Sequence, residues 1–157
     1  MDKLEDMDAA LTFYCLHFRS LSLQELYDMM YLRQEVFVVE HDCPYIDADG
    51  KDPLGHHLMG YGPQGRLRAC ARLLPAGVSY PAHASIGRVV TSPALRGKGA
   101  GKALMRESLQ WCTRLFGESP LKISAQCYLI RFYESFGFQT VGEEYLEDDI
   151  PHIAMVK

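Results

Sequence analysis

Two periods alternate along the chain. Residues 11 to 18, Leu-Thr-Phe-Tyr-Cys-Leu-His-Phe, are aromatic and β-branched enough to predict a first strand. Ser22-Leu23-Gln24-Glu25 then has the form of a capping box, and Leu23, Leu26, Tyr27, Met30, Val36 and Phe37 follow at helical spacing, predicting a helix from about 23 to 38. Its end, Arg33 to Glu40, mixes charge with four apolar residues, three of them β-branched, and is read as the last turn of a buried helix. Residues 42 to 53 are rich in Asp, Gly and Pro and read as a loop. Strands follow at about 55 to 61 and 66 to 74, joined by Gly62-Pro63-Gln64-Gly65, and a turn at 75 to 83 leads to another strand at 84 to 91.

In the second half, Leu104, Trp111, Cys112 and Leu115, with the small Ser108, recur at helical spacing, and Gly117 stands at the C-cap of a helix over 100 to 116. A short alternating strand at 121 to 126 precedes a short helix carrying Leu129, Ile130, Phe132, Tyr133 and Phe136, stopped by Gly137. Strands at 138 to 141 and 152 to 156 close the chain, and the acidic run 142 to 149 between them reads as a solvated loop. The order β-α-loop-β-β-β-α-β-α-β-β is an α+β pattern.

Composition narrows the class without naming it. With 157 residues, 48% hydrophobic and 23% charged, the chain has the size and balance of a single soluble domain spanning 1–157. A net charge of −4 argues against nucleic acid or an anionic membrane as partner. The five cysteines form no Cys-x-x-Cys pair, and the acidic N-terminus carries no secretory pattern, so a reduced, cytoplasmic protein is expected. The first eight or so residues read as a tag scar or a frayed end. Asp47-Ala48-Asp49-Gly50 has the look of a calcium loop, but no glutamate closes it, and no metal is expected.

Chemistry concentrates between Ile86 and Phe116. A strand ending at Thr91 and Pro93 runs into Arg96-Gly97-Lys98-Gly99-Ala100-Gly101-Lys102 and then into a helix. Glycines free backbone N–H groups to converge, the helix N-terminus adds partial positive charge, and three cationic side chains surround the loop, a setting for a phosphate or pyrophosphate. The Walker spacing fails, because Arg96 stands where its first glycine belongs and Ala103 where its Ser or Thr belongs. The dinucleotide fingerprint fails at Lys102, which occupies the third glycine position.

Arg-Gly-x-Gly-x-Gly after such a strand resembles the acetyl-CoA loop of the GNAT superfamily of N-acetyltransferases. Phe132-Tyr133-Glu134-Ser135-Phe136-Gly137-Phe138 resembles the second signature of the same superfamily. Arg33-Gln34-Glu35-Val36-Phe37, the Cys43-Pro44-Tyr45 loop with Asp47 and Asp49-Gly50, and Ile150-Pro151-His152-Ile153 make the chain similar to the ElaA-type branch over nearly its whole length. The helix end also resembles that of acyl-homoserine lactone synthases, which are longer. The resemblance implies the GNAT fold, a mixed, mostly antiparallel sheet of six to seven strands with helices on both faces. It implies acetyl-CoA as donor, an amine of unstated identity as acceptor, and leaves a homodimer open.

By the same resemblance, Val89, Val90 and Thr91 would hold the pantetheine arm through their backbone. Arg96, Gly97, Lys98, Gly99, Ala100, Gly101 and Lys102 would hold the pyrophosphate, and Tyr133 would protonate the departing thiolate. Acetylating an amine whose pKa is near ~10 also requires a proton acceptor. Glu40, His57, His152 or a water chain are the candidates. The alternative to an acetyltransferase is a non-catalytic CoA-binding sensor or interaction module, which would have no need of a phenol at Tyr133.

Overall fold

The computed structural model describes residues 10–157, so the reading of the first residues as a scar or frayed end lies outside the described residues. Seven strands form one sheet in the order β1-β2-β3-β4-β5-β7-β6. They are β1 (Thr12–His17), β2 (His56–Tyr61), β3 (Leu67–Leu74), β4 (Ala84–Thr91), β5 (Leu121–Gln126), β6 (Gln139–Glu147) and β7 (Ile150–Val156). Every pairing is antiparallel except that of β4 with β5. The mixed, mostly antiparallel sheet of seven strands is the one expected from the sequence.

The helices cover opposite faces. The first, α1 (Leu23–Arg33), starts at Ser22, whose side chain accepts from the Glu25 N–H while the Glu25 carboxylate accepts from the Ser22 N–H, the capping box expected from sequence. Met29, Leu32 and Val36 pack on Met59, Cys70 and Val90. On the other face lies α2 (Ala100–Phe116), with Leu104, Met105, Ser108 and Cys112 buried against alternate residues of the same strands, Leu58, Ala69, Ala71 and Ile86. Period-2 alternation in β3, Ala69 to one side and Cys70 to the other, is what lets one strand serve two cores. The short α3 (Ile130–Glu134) ends before Gly137, which adopts φ +91°.

Three features depart from the sequence reading. The end expected over Arg33 to Glu40 as the last turn of a buried helix is a π-helix over Gln34–Glu40, with His41 N–H bonded to Val36 C=O and Cys43 N–H to Val38 C=O. Such widened turns recur at functional sites because they rotate side chains out of the α register. The acidic run expected as a loop is strand: β6 extends to Glu147, pairs with β7 up to Ile150, and turns at Asp148 and Asp149, both left-handed. Two adjacent left-handed residues make the tight hairpin turn that matches strand twist, so the hairpin overrides the poor strand propensity of glutamate. Finally, β4 carries a bulge: Cys70 pairs with Val90 and Arg72 with Gly87, leaving Arg88 and Val89 opposite Ala71 alone.

Candidate active site

The site follows from one parallel pairing that stops early. The strands β4 and β5 are in register only at Ala84 with Leu121 and Ser85 with Lys122. Beyond that they part, and a cavity of about 140 Å³ opens between them, lined by Val89 from β4, Ser124 from β5 and Tyr133 from α3. The bulge falls where the strands separate, so the backbone of Arg88 and Val89 has no register partner in β5 and only Ala71 in β3. Of the expected arm residues, Val89 lines the cavity, whereas the Val90 side chain is buried beneath α1.

Arg88 is left-handed, with φ +49°, a conformation costing a residue with a Cβ about 1–2 kcal/mol. An ionic cluster holds it there. Its Nη2 donates to the Asp47 carbonyl at 3.0 Å, and its Nε lies 2.8 Å from Asp47 Oδ1, a charge contact out of line for a hydrogen bond. In the 42–53 loop, whose Asp-x-Asp-Gly has the look of a calcium loop, Asp47, Asp49 and Asp52 are all paired with arginines. Arg33 donates to Asp47 at 2.6 Å and to Asp52 at 2.8 Å, and Arg72 to Asp49 at 2.8 Å and to Asp52 at 2.9 Å. Burial opposes the charge on Asp49 and Asp52, but hydrogen bonds and proximity to Arg72 and Arg33 outweigh it and hold both carboxyls below their usual range. No short motif joins these three arginines in the sequence, because they come from α1, β3 and β4. The same loop reaches the far side of the cavity, where Tyr45 donates to Asp149 at 2.9 Å.

Beyond β4 comes the glycine loop. Gly97 and Gly99 adopt φ +78° and +79°, and Gly99 is the N-cap of α2 with no side chain capping the helix. The first N–H groups of α2 therefore lack intrahelical acceptors. A Cβ at Gly97 or Gly99 would meet nothing within 4 Å, so the space over the loop is open. Gly101 differs. It sits in the first turn of α2, where an added Cβ would make ordinary contact with Phe132 at 3.8 Å, so the fold alone does not demand glycine there. Ala100 is buried, and Arg96 forms an ion pair with Glu40. The open loop, the uncapped helix end, and Lys98 and Lys102 on either side of its N-cap fit a pyrophosphate.

The residues expected to carry protons separate on folding. Tyr133 is buried, packed edge-on against Phe132 and Phe138 at centroid distances of 5.2 and 6.1 Å, and lines the cavity. Burial pushes its phenol up to about 12. His152 lines the same cavity, with Nδ1 2.7 Å from the Ile150 carbonyl. His57 does not reach it: the ring is buried with Nε2 3.0 Å from the Asp52 carbonyl and beside Arg33 and Arg72, and burial lowers its pKa. Of the expected bases it lies apart from Tyr133 and His152. Glu40 is likewise committed elsewhere, to Arg96 of the glycine loop. Glu147 and Ser124 also line the cavity; the acidic run carrying Glu147 reads as a loop in the sequence, and nothing in the strand at 121 to 126 singles out Ser124.

A split sheet with a bulged strand, an open glycine loop on a helix N-terminus and a buried phenol across the gap is the architecture of acyl-CoA N-acyltransferases. The Acetyltransferase (GNAT) domain family matches residues 72–157. The chain is 44% identical to Protein ElaA of Escherichia coli (strain K12) over 144 residues, covering 90% of this chain and 93% of that protein. An acyl-CoA N-acyltransferase structure from Pseudomonas aeruginosa superposes with a TM-score of 0.89 at 47% identity, over 94% of this chain and 99% of that one. A CoA-dependent acyl-homoserine lactone synthase, at 16% identity and a TM-score of 0.73 over 94% of this chain and 82% of that one, shares the fold alone. The chain belongs to the GNAT acetyltransferase family, in its ElaA-type branch.

Proposed function

We propose that the protein transfers the acetyl group of acetyl-CoA to a primary amine by direct attack within a ternary complex. The observation that carries the reading is the coincidence, in one cavity, of the β4 bulge at Arg88 and Val89 with the buried phenol of Tyr133 and the imidazole of His152. Arg96 to Lys102 bind the pyrophosphate, with Gly97, Gly99 and Gly101 acting through their backbone and the helix dipole adding to the cationic side chains. The backbone of Val89, Val90 and Thr91 takes the pantetheine arm, and an N–H freed by the bulge polarises the thioester oxygen.

Tyr133 serves the thiolate. A phenol at about 12 lies well above a thiol near ~8.5, so complete proton transfer from it is uphill by roughly 5 kcal/mol. Its contribution is a strong hydrogen bond to the departing sulfur, made in a site that excludes water. On the amine side, His152 is the proton acceptor, being the one of the three candidates that lines the cavity with Tyr133. A non-catalytic CoA-binding module gains nothing from burying a phenol and an imidazole at the same gap. The test is thiol release from acetyl-CoA with a panel of primary amines: amine-dependent release is expected, and tight acetyl-CoA binding without it would make the protein a binding module.

A further inference from the structure

The Nδ1 of His152 lies 2.7 Å from the Ile150 carbonyl, so Nδ1 carries the hydrogen and Nε2 of the neutral ring presents a lone pair. That lone pair looks at Glu147 Oε2 across 3.2 Å. Two acceptors at this distance attract only when a proton stands between them. The carboxylate is held there by a directed chain. Ser124 Oγ is 3.3 Å from Glu147 Oε2, and a carboxylate only accepts, so Ser124 donates to it. With its single hydrogen spent, Ser124 accepts from the Tyr145 hydroxyl, and the Tyr145 ring stacks on His152 with an interplanar angle of 22°. The strands fix all of this: Tyr145 is opposite His152 and Gln126 opposite His152 on the other side. His152 is 7% exposed, while the Glu147 side chain is half exposed at the cavity edge.

From this geometry we infer that Glu147 and His152 together are the acceptor site, and that the acceptor enters as a cationic alkylammonium without an adjacent carboxylate. The inference rests on the acetyltransferase reading above and extends it to the substrate. An ammonium supplies N–H donors to both facing acceptors at once, and its charge is met by Glu147. Asp148 lines the same cavity and would repel a carboxylate carried beside the amine, as in a free α-amino acid. One ammonium proton then moves to His152 Nε2, where the imidazolium is paired with Glu147. The nitrogen lone pair so freed forms the C–N bond to the acetyl carbon as the C–S bond breaks, and the second amine proton passes to the thiolate. Half-exposed Glu147 gives the imidazolium proton its way to solvent. Tyr145 and Ser124 are positioning residues acting through Glu147.

The experiment follows the ring-proton resonance of His152 during titration with butylammonium chloride, with tetramethylammonium chloride as a cation that has no N–H. Butylammonium should give a saturable shift, tetramethylammonium one at least about tenfold weaker, and Glu147→Gln should weaken the first by about tenfold or more, the scale of a hydrogen bond to a charged group. In turnover with saturating acetyl-CoA, the same variant should raise the amine KM by a similar factor with the acetyl-CoA KM unchanged. Equal binding of butylammonium by Glu147→Gln, or no saturable shift in the wild type, overturns the inference. A Glu147-dependent shift without any thiol release leaves the site standing and removes the transferase reading, and thiol release indifferent to Glu147 does the reverse.

Discussion

Arg88 and Asp47, forty-one residues apart, are joined through both the side chain and the backbone carbonyl of the aspartate, and this contact holds the bulge of β4 in its left-handed conformation. The loop therefore acts as a brace for the strand that receives the donor. Replacing Asp47 by Ala removes the side-chain half of that brace, leaving only the carbonyl contact, and leaves the buried Arg33 with one partner fewer. The protein should lose about 3 kcal/mol of stability, the scale for opening a buried ion pair, with a lower urea midpoint. At temperatures where the variant is folded, kcat/KM for acetyl-CoA should fall by more than stability alone explains. Unchanged kcat/KM would separate the bulge from catalysis.

Tyr133→Phe should lower kcat by about 10²-fold, the lower range for losing one hydrogen-bond donor aimed at developing charge, while leaving acetyl-CoA affinity nearly unchanged. Because burial holds the phenol near 12, no alkaline loss of activity from Tyr133 is expected below about pH 11. Calorimetric titration with acetyl-CoA and a pH–rate profile check both halves.

The three glycines of the loop should not be equivalent. Gly97→Ala and Gly99→Ala force a Cβ into left-handed backbone, costing about 1–2 kcal/mol each and misdirecting the N–H groups, so CoA affinity should drop. Gly101→Ala leaves the fold intact, and any loss of CoA affinity there reports the close approach of the phosphate itself. Thermal unfolding alongside CoA titration separates the two effects.

Glu40→Gln frees Arg96 from an exposed carboxylate that competes with phosphate for it. A modest gain in CoA affinity with kcat retained is expected from steady-state kinetics. A loss of kcat by orders of magnitude would return Glu40 to the role of base.

Acid should weaken the protein in two stages. The buried His57 has its pKa lowered on folding, so the unfolded chain binds its proton first and stability declines as pH falls below about 6.5. Asp49 and Asp52 have theirs lowered as well, so their contribution is fully present above the unfolded value near ~3.9 and is lost as pH falls through the folded values. Urea midpoints measured from pH 8 to 3 should show the first decline, and His57→Gln should reduce it, the remainder belonging to His56, whose pKa burial also lowers.

Much of this was legible in order and spacing. The capping box at Ser22, the hairpin at 62 to 65 and the glycine loop are local signals, each written within a few residues. The sites that were not legible depend on long-range placement. Glu147 becomes a cavity residue only because Asp148 and Asp149 turn left-handed and pair β6 with β7, a hairpin signal weaker than Asn-Gly. Arg33, Arg72 and Arg88 meet one loop from three elements, and no spacing in the chain encodes that meeting. His57 looked eligible as a base because sequence does not reveal that it faces buried arginines rather than the cavity.

The most direct measurement is simultaneous assay of thiol and acetylated amine from acetyl-CoA and butylamine, with the wild type and Tyr133→Phe. The account predicts equal amounts of the two products, and a rate about 10²-fold lower in the variant at unchanged acetyl-CoA affinity. Thiol appearing without acetylated amine, or acetyl-CoA bound with neither product formed, would contradict it.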